Sequence, residues 1–230
     1  VYRSGNPALS NSTFEKNSYK DMNWWDNSES NLMTIEGVAE KTAFLLLITA
    51  TSAIATAMMM PGAALLCVLG FIGSLICLIM VMWSKSNSPL LICSYALFEG
   101  LLLGGITWIF EVSTGIEGLG IISAGITFLI LGVMITIYRL GLIHWDKNMQ
   151  IAVTSSMMAI MLIYLISILG SFLGYNMPYI HGSGTIGIAF SVFVVGIASL
   201  CLVADFDFIE RGVLKGAPKQ LEWRAAFGLL

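Results

Sequence analysis

The sequence predicts an all-α fold, a polytopic membrane helix bundle with six complete spans and the start of a seventh. Of the 230 residues, 57% are hydrophobic and only 11% are charged, whereas soluble domains carry about 25% charged residues. The apolar residues also gather in uncharged runs, and a helix that crosses a bilayer needs roughly 20 such residues. Composition and run length therefore place the chain in the membrane class.

The runs are continuous rather than alternating, which favours helices over the strands of a membrane barrel. We expect spans at about 42–60, 63–83, 89–110, 119–138, 149–173 and 185–208, with a seventh run at 221–230. The seventh run is too short to cross a bilayer, so we interpret it as the first part of a longer helix. Residues 1–40 are polar and form a separate N-terminal segment, soluble or lying on the membrane surface, ahead of the bundle at 41–230.

The basic residues predict the orientation. All eleven Lys and Arg lie in the N-terminal segment or in and near the loops after spans two, four and six, and the other loops contain none. Basic residues in short loops mark the cytoplasmic side. The N-terminus is therefore expected in the cytoplasm, with the lipid bilayer as the main partner.

Several function classes are not favoured. The net charge is −3 and no basic face is visible, which argues against a nucleic-acid partner. The four cysteines lie in apolar runs without metal-ligand spacing, as expected of buried apolar side chains. Ser183 lies between two glycines close to His181, but glycines that open a helix explain this pattern better than a serine protease does. We expect no enzymatic activity and no cofactor.

Acids within the spans are the candidate functional residues, because each costs about 2.5–3.5 kcal/mol at a helix centre on insertion scales. Glu99 lies about 15 Å into span three, and Tyr95 lies one turn earlier, close enough to donate a hydrogen bond. Gly100 and Gly104 in span three, and Gly170 and Gly174 in span five, have the spacing of close helix packing. Glu99 either has a structural role, in which it forms a hydrogen bond to a neighbouring helix, or belongs to an ion or proton path.

Asp205 and Asp207 follow a long uncharged stretch near the end of span six. Two residues apart on a helix means about 200° apart, so the two acids cannot face the same partner. Asp205 lies only about 5 Å from the predicted end of its span. Each of the two is either an acid at the membrane interface without a special role or a residue that takes part in the function.

Five stretches of the sequence resemble the bacterial branch of the Bax inhibitor-1 family, and the resemblance covers essentially the whole chain. They are Arg3-Ser-Gly-Asn-Pro-Ala-Leu, Tyr95-Ala-Leu-Phe-Glu-Gly-Leu, Tyr179-Ile-His-Gly-Ser-Gly-Thr-Ile-Gly-Ile, Leu202-Val-Ala-Asp-Phe-Asp-Phe-Ile-Glu and Gly216-Ala-Pro-Lys-Gln-Leu-Glu-Trp. The resemblance implies a seven-helix bundle with a central seventh helix, in the inner membrane of a bacterium. It also implies a pH-sensitive calcium leak channel, with calcium as the permeant ion.

The resemblance further implies roles for individual residues. Asp205 matches an aspartate that shares a proton with an acid on the seventh helix. The ion path is closed while the two acids share the proton, and the aspartate binds calcium once the proton is lost. We expect that partner acid beyond Leu230, since Glu222 does not match it by position. Asp207 matches more weakly, and Lys85 is the counterpart of a basic residue that latches the aspartate. Glu99 and Tyr95 would form an inner polar site along the ion path.

Two other functions remain open. The chain is alternatively an integral membrane protein without transport activity that binds and regulates a membrane partner such as a protease. In that case the acids are structural and the N-terminal segment is the docking element. A secondary transporter or an enzyme is a third hypothesis, but no internal repeat supports a transporter. The oligomeric state is left open.

Overall fold

The computed structural model describes residues 32–62, 64–84, 88–143, 145–172 and 184–230. Every regular element in these residues is a helix, and seven are defined, which confirms the predicted fold class. In chain order they are α1 (Ile35–Met59), α2 (Ala64–Ser84), α3 (Pro89–Thr114), α4 (Leu119–Arg139), α5 (Lys147–Phe172), α6 (Thr185–Leu214) and α7 (Leu221–Leu229).

The first six helices are long and apolar enough to cross a membrane, as predicted. Helix α7 has nine residues, which is shorter than a span. Most boundaries lie within four residues of the predicted ones. The exceptions are the start of α1 and the end of α6, because an apolar run marks the part of a helix that lies in lipid and not the whole helix.

Helix α1 begins seven residues before the expected span, inside the polar segment. Thr34 is its N-cap, with extended backbone angles, and its hydroxyl accepts a hydrogen bond from the Gly37 N–H at 3.0 Å. Glu36 lies in the first turn, where a negative charge is favourable next to the helix dipole. The helix start is thus determined by polar capping rather than by apolar residues.

Helix α6 ends six residues after the expected span. Gly216 has a positive φ of 69°, and the Ala217 N–H donates to the Gly212 carbonyl at 3.1 Å. This is the Schellman arrangement, in which a left-handed glycine satisfies the last carbonyls of a helix. No such signal precedes Gly216, so the helix continues through charged residues to Leu214.

The described residues fall into two compact units. The first contains residues 129–207, and the second contains the residues before 129 and those from 208 onward. In the first unit, a buried cluster joins Met134 of α4, Trp145 of the following loop, Val153 of α5, and Val203 and Ala204 of α6. This cluster is the apolar core around the part of α6 that carries the aspartates.

In the second unit, α3 packs closely against α1 through glycines. A Cβ at Gly100 would collide with Ser52 and the Thr49 carbonyl, and one at Gly104 would lie 2.9 Å from the Thr56 Cβ. Thr49 also donates a hydrogen bond of 3.1 Å to the Ala96 carbonyl on α3. The predicted small-residue contact of Gly100 and Gly104 is therefore confirmed, whereas Gly174 of a second expected pair lies outside the described residues.

Helix α2 approaches the opposite side of α3 in the same way. A Cβ at Gly70 would lie 2.7 Å from the Leu102 backbone nitrogen, and one at Gly73 would lie 2.6 Å from the Phe98 ring. Outside these contacts many large apolar side chains are exposed, Leu47, Phe71 and Leu129 among them. Such surfaces suit a lipid environment, since acyl chains are as apolar as these side chains.

We expect Gly100→Ala to lower the free energy of unfolding by about 1–3 kcal/mol, the usual cost of overpacking. The reason is that the new methyl group meets the Thr49 backbone carbonyl, which cannot rotate away. The measurement is the thermal melting midpoint of the purified protein in detergent. Gly125→Ala is the matched control, because a Cβ at this α4 position has open space around it. Equal melting midpoints for the two variants would contradict the close packing of α1 and α3.

Candidate functional site

Asp205 lies on α6 and is only 8% exposed. It follows Val203 and Ala204, which are both part of the buried cluster of the first unit. Helix α6 continues for nine residues to Leu214, so Asp205 lies about 14 Å from the end of the helix. The predicted depth of about 5 Å was wrong, because it placed the end of the helix at residue 208.

Asp207 lies two residues further on α6 and is half-buried. Its rotation of about 200° from Asp205 agrees with their different exposure. The structure thus distinguishes a buried aspartate from a partly exposed one within the same turn of helix.

Glu99 and Tyr95 lie on α3, in the second unit, and both are half-buried. Tyr95 and Glu99 interact electrostatically one turn apart on α3, and the expected hydrogen bond between them stays a prediction. The Tyr95 ring also packs edge-on against the Phe227 ring of α7, with 4.9 Å between ring centroids. Glu99 lies ten residues after Pro89, the first residue of α3, which gives the predicted depth of about 15 Å.

Some of the residues singled out in the sequence lie outside the described part of the chain. They are Lys85, His144, His181 and Ser183. Within the described ranges, no group of three or more His, Cys, Asp or Glu side chains is arranged to hold a metal ion. The structure therefore assigns no resident metal centre to the described residues.

A charged cluster at the start of α7 was not predicted. Glu222 is fully buried and forms an ion pair with Lys41 of α1, whose side chain is 19% exposed. The same carboxylate accepts hydrogen bonds from the Thr34 backbone N–H at 2.9 Å and from the Thr34 hydroxyl at 3.3 Å. Glu222 thus contacts both the N-cap and the second turn of α1.

The surroundings of Glu222 keep it ionised. Burial alone would raise the pKa of Glu222, but the hydrogen bonds from Lys41 and Thr34 and the charge of Lys41 lower it further than burial raises it. The pKa therefore lies below its ordinary value, and the carboxylate is charged at neutral pH. Removing one partner from a buried ion pair costs about 3–5 kcal/mol, because the other charge is left uncompensated.

Aromatic side chains cover this ion pair. The Lys41 ammonium lies 5.6 Å from the centre of the Trp223 ring, within the range of a cation–π contact. Phe44, one turn after Lys41, packs edge-on against the same ring with 6.4 Å between centroids. Glu222 and Trp223 together therefore bind one stripe of α1.

Residues 32–34 reach the loop between α6 and α7. The Met33 N–H donates to the Ala217 carbonyl at 2.7 Å, and Leu32 forms an isolated antiparallel bridge with Pro218. Met33 is buried in a cluster with Phe208, Leu221 and Ala225. The end of the N-terminal segment is thus part of the core at the start of α7.

Arg224 is the other buried charge on α7. It is 4% exposed, and within the described part of the chain its Nε and Nη1 atoms are buried without a hydrogen-bond partner. Sequence reasoning used Arg224 only as an orientation signal and gave no reason to expect its burial.

The sequence carries little information about the Glu222 cluster. Lys41 and Glu222 are 181 residues apart, so no helical spacing links them. The one local signal is Thr34, a preferred N-cap residue, which could have predicted the early start of α1. The Tyr95–Glu99 contact was predictable because its two residues are one turn apart on the same helix.

Comparison with known proteins agrees with the resemblance found in the sequence. A search of curated proteins and a search of solved structures each gave no significant match. The sequence profile described as Bax inhibitor 1 like matches residues 6–230, which is nearly the whole chain and includes Asp205 and Glu99. The chain therefore belongs to the Bax inhibitor-1-like family of membrane proteins.

Proposed function

We propose that the protein is a pH-sensitive calcium leak channel in which Asp205 is the proton-sensing acid. The observation that carries the proposal is the burial of this carboxyl group, 8% exposed, on a helix that is long and apolar enough to span a membrane. An ionisable side chain is costly at such a position and marks a functional site by default. Membership in the family supports the same conclusion, because the resemblance implies this activity.

The mechanism follows from the electrostatics of paired acids. Two carboxyl groups held close together in a low-dielectric site cannot both ionise cheaply, so they share a proton and titrate as a pair. When the shared proton leaves, the two charges repel each other and offer the hard oxygen ligands that calcium prefers. Calcium is thus the permeant ion, and the proposal requires no enzymatic step and no cofactor.

The other acids have secondary roles in this proposal. Glu99, which interacts electrostatically with Tyr95, is an inner polar site along the ion path. Asp207 is half-buried and contributes less to proton sensing than Asp205 does. Lys85 is proposed as the basic residue that latches Asp205.

The proposal places the protein in the inner membrane of a bacterium with its N-terminus in the cytoplasm. The distribution of the eleven Lys and Arg supports this orientation. The loop between α3 and α4 and the loop after α5 would then face the outside.

The test of function is calcium flux into liposomes that contain the purified protein, measured at several pH values. We expect the flux of the parent protein to rise with pH, since loss of the shared proton opens the path. Asp205→Asn cannot ionise, so its flux should stay low across the same range. The difference at the alkaline end should be about tenfold or more, because a charge within the bilayer is worth about 2.5–3.5 kcal/mol.

Asp207→Asn is the matched control, because it removes the neighbouring carboxyl group and should retain the pH response. Glu99→Gln should lower the flux without changing the pH at which half of the response occurs. If neither Asp205→Asn nor Glu99→Gln alters the flux, the acids are structural. The protein is then better described as a partner-binding membrane protein without transport activity.

The orientation can be tested by cysteine labelling in spheroplasts. Glu117→Cys, in the exposed loop after α3, should react with a membrane-impermeant maleimide from the outside. Leu142→Cys, exposed in the loop after α4, should react only after the membrane is opened. The parent is the control for the four native cysteines, all of which lie within spans. The reverse labelling pattern would contradict the proposed orientation.

A further inference from the structure

The first turn of α7 is bound to α1 by a carboxylate that accepts from three donors. Glu222 is fully buried and takes hydrogen bonds from the Thr34 backbone N–H, the Thr34 hydroxyl and the Lys41 ammonium. Apolar contacts alone permit small sliding movements of one helix on another. The ion pair resists such movement, because the fully buried Glu222 carboxylate would be left uncompensated without Lys41.

The carboxylate lies in the space beside a glycine of α1. A Cβ at Gly37 would lie 2.5 Å from the Glu222 Oε1 atom and 2.6 Å from its Oε2 atom. Gly37 therefore provides the space that the carboxylate occupies, while Thr34 and Lys41, on either side along α1, provide its donors. Only one register of α7 along α1 satisfies these contacts together.

This register determines what lies further along α7. Phe227 follows Glu222 by five residues, about 7.5 Å along the helix axis. Its ring packs against the Tyr95 ring, and Tyr95 lies one turn before Glu99 on α3 and interacts with it electrostatically. Ala226 and Phe227 also lie in the buried cluster formed by Leu45 of α1, Val81 of α2, and Ile92 and Ala96 of α3.

We propose that Glu222 is a positioning residue that, through Lys41 and Thr34, fixes the register of α7 on α1 and so holds Phe227 against Tyr95 and Glu99. The placement of α7 is a statement about the fold alone. Its consequence for ion flux rests on the proposed function, in which Glu99 belongs to the calcium path.

The register can be measured by cross-linking α3 to α7. The reporter is the double variant Tyr95→Cys/Phe227→Cys, in a background without the four native cysteines, treated with a short reagent that joins two thiols. We expect Lys41→Met, which removes the cation, to slow cross-linking about fivefold or more, the lower range of coupling between linked sites. Gly37→Ala should have the same effect with both charges present, because its methyl group displaces the carboxylate.

Two matched variants make the comparison specific. Lys41→Arg retains the cation, and Gly125→Ala adds a methyl group to an open position of α4. Both should cross-link within about twofold of the parent, as expected of changes without energetic coupling. All rates are measured on the monodisperse, folded fraction, so that a loss of yield is not read as a change of register.

Parent-like rates in both Lys41→Met and Gly37→Ala would overturn the proposal. An equal loss in Gly125→Ala would also overturn it, because the effect would then be unrelated to the Glu222 contacts.

Calcium flux separates this proposal from the proposed function. Gly37→Ala, with all other residues native, should change the flux about fivefold or more at a fixed pH if the register matters to the path. If Gly37→Ala slows cross-linking but leaves the calcium flux unchanged, the proposed effect of Glu222 on Glu99 and the ion path is overturned. A parent protein without calcium flux at any pH would refute the proposed function, and the cross-linking result would still decide whether Glu222 positions α7.

Discussion

Helices in a bilayer cannot associate by hiding apolar surface from water, because the lipid tails around them are equally apolar. Close backbone contact and polar bonds must supply the attraction instead, and the second unit of this protein uses both. Gly100 and Gly104 allow α3 to approach α1, and Gly70 and Gly73 allow α2 to approach α3. The hydrogen bond from Thr49 to the Ala96 carbonyl adds a polar bond at the same contact. The rest of the unit depends on this close assembly of three helices.

The same constraint explains why the buried charges matter. In water a salt bridge contributes little, but the Glu222 carboxylate has no solvent contact. Among the described residues, Lys41 and Thr34 compensate its charge. The pair therefore specifies where α7 lies more than it adds to stability. Asp205 is buried on α6 in a comparable way, although the proposed reason is a shared proton rather than a fixed geometry. In the two proposals, one carboxylate positions a helix and the other switches the ion path.

The sequence predicted those features that depend on neighbours along one helix or on total composition. Apolar run length predicted the six spans, and residue spacing predicted the close packing of Gly100 and Gly104 against α1 and the proximity of Tyr95 to Glu99. Boundaries failed where capping determines them, at Thr34 and at Gly216, since an apolar run does not include the polar turns that a helix adds outside lipid. Contacts between residues far apart in the sequence, such as Lys41 with Glu222, could not be predicted, because residue spacing relates only positions within one helix. The role of Asp205 stays a prediction from family resemblance, because the sequence alone left open whether this acid is interfacial or functional.

The position of Thr34 has a consequence for how the protein is made. This residue caps the start of α1, yet its backbone N–H bonds to a carboxylate that is 188 residues away in the chain. During synthesis α1 is produced and inserted long before Glu222 exists, so Lys41 must enter the membrane region without its partner. Helix α1 is therefore synthesised well before α7 but completes its contacts only when α7 arrives. The assembly of this unit must keep the start of α1 accessible until the ribosome has delivered the beginning of α7.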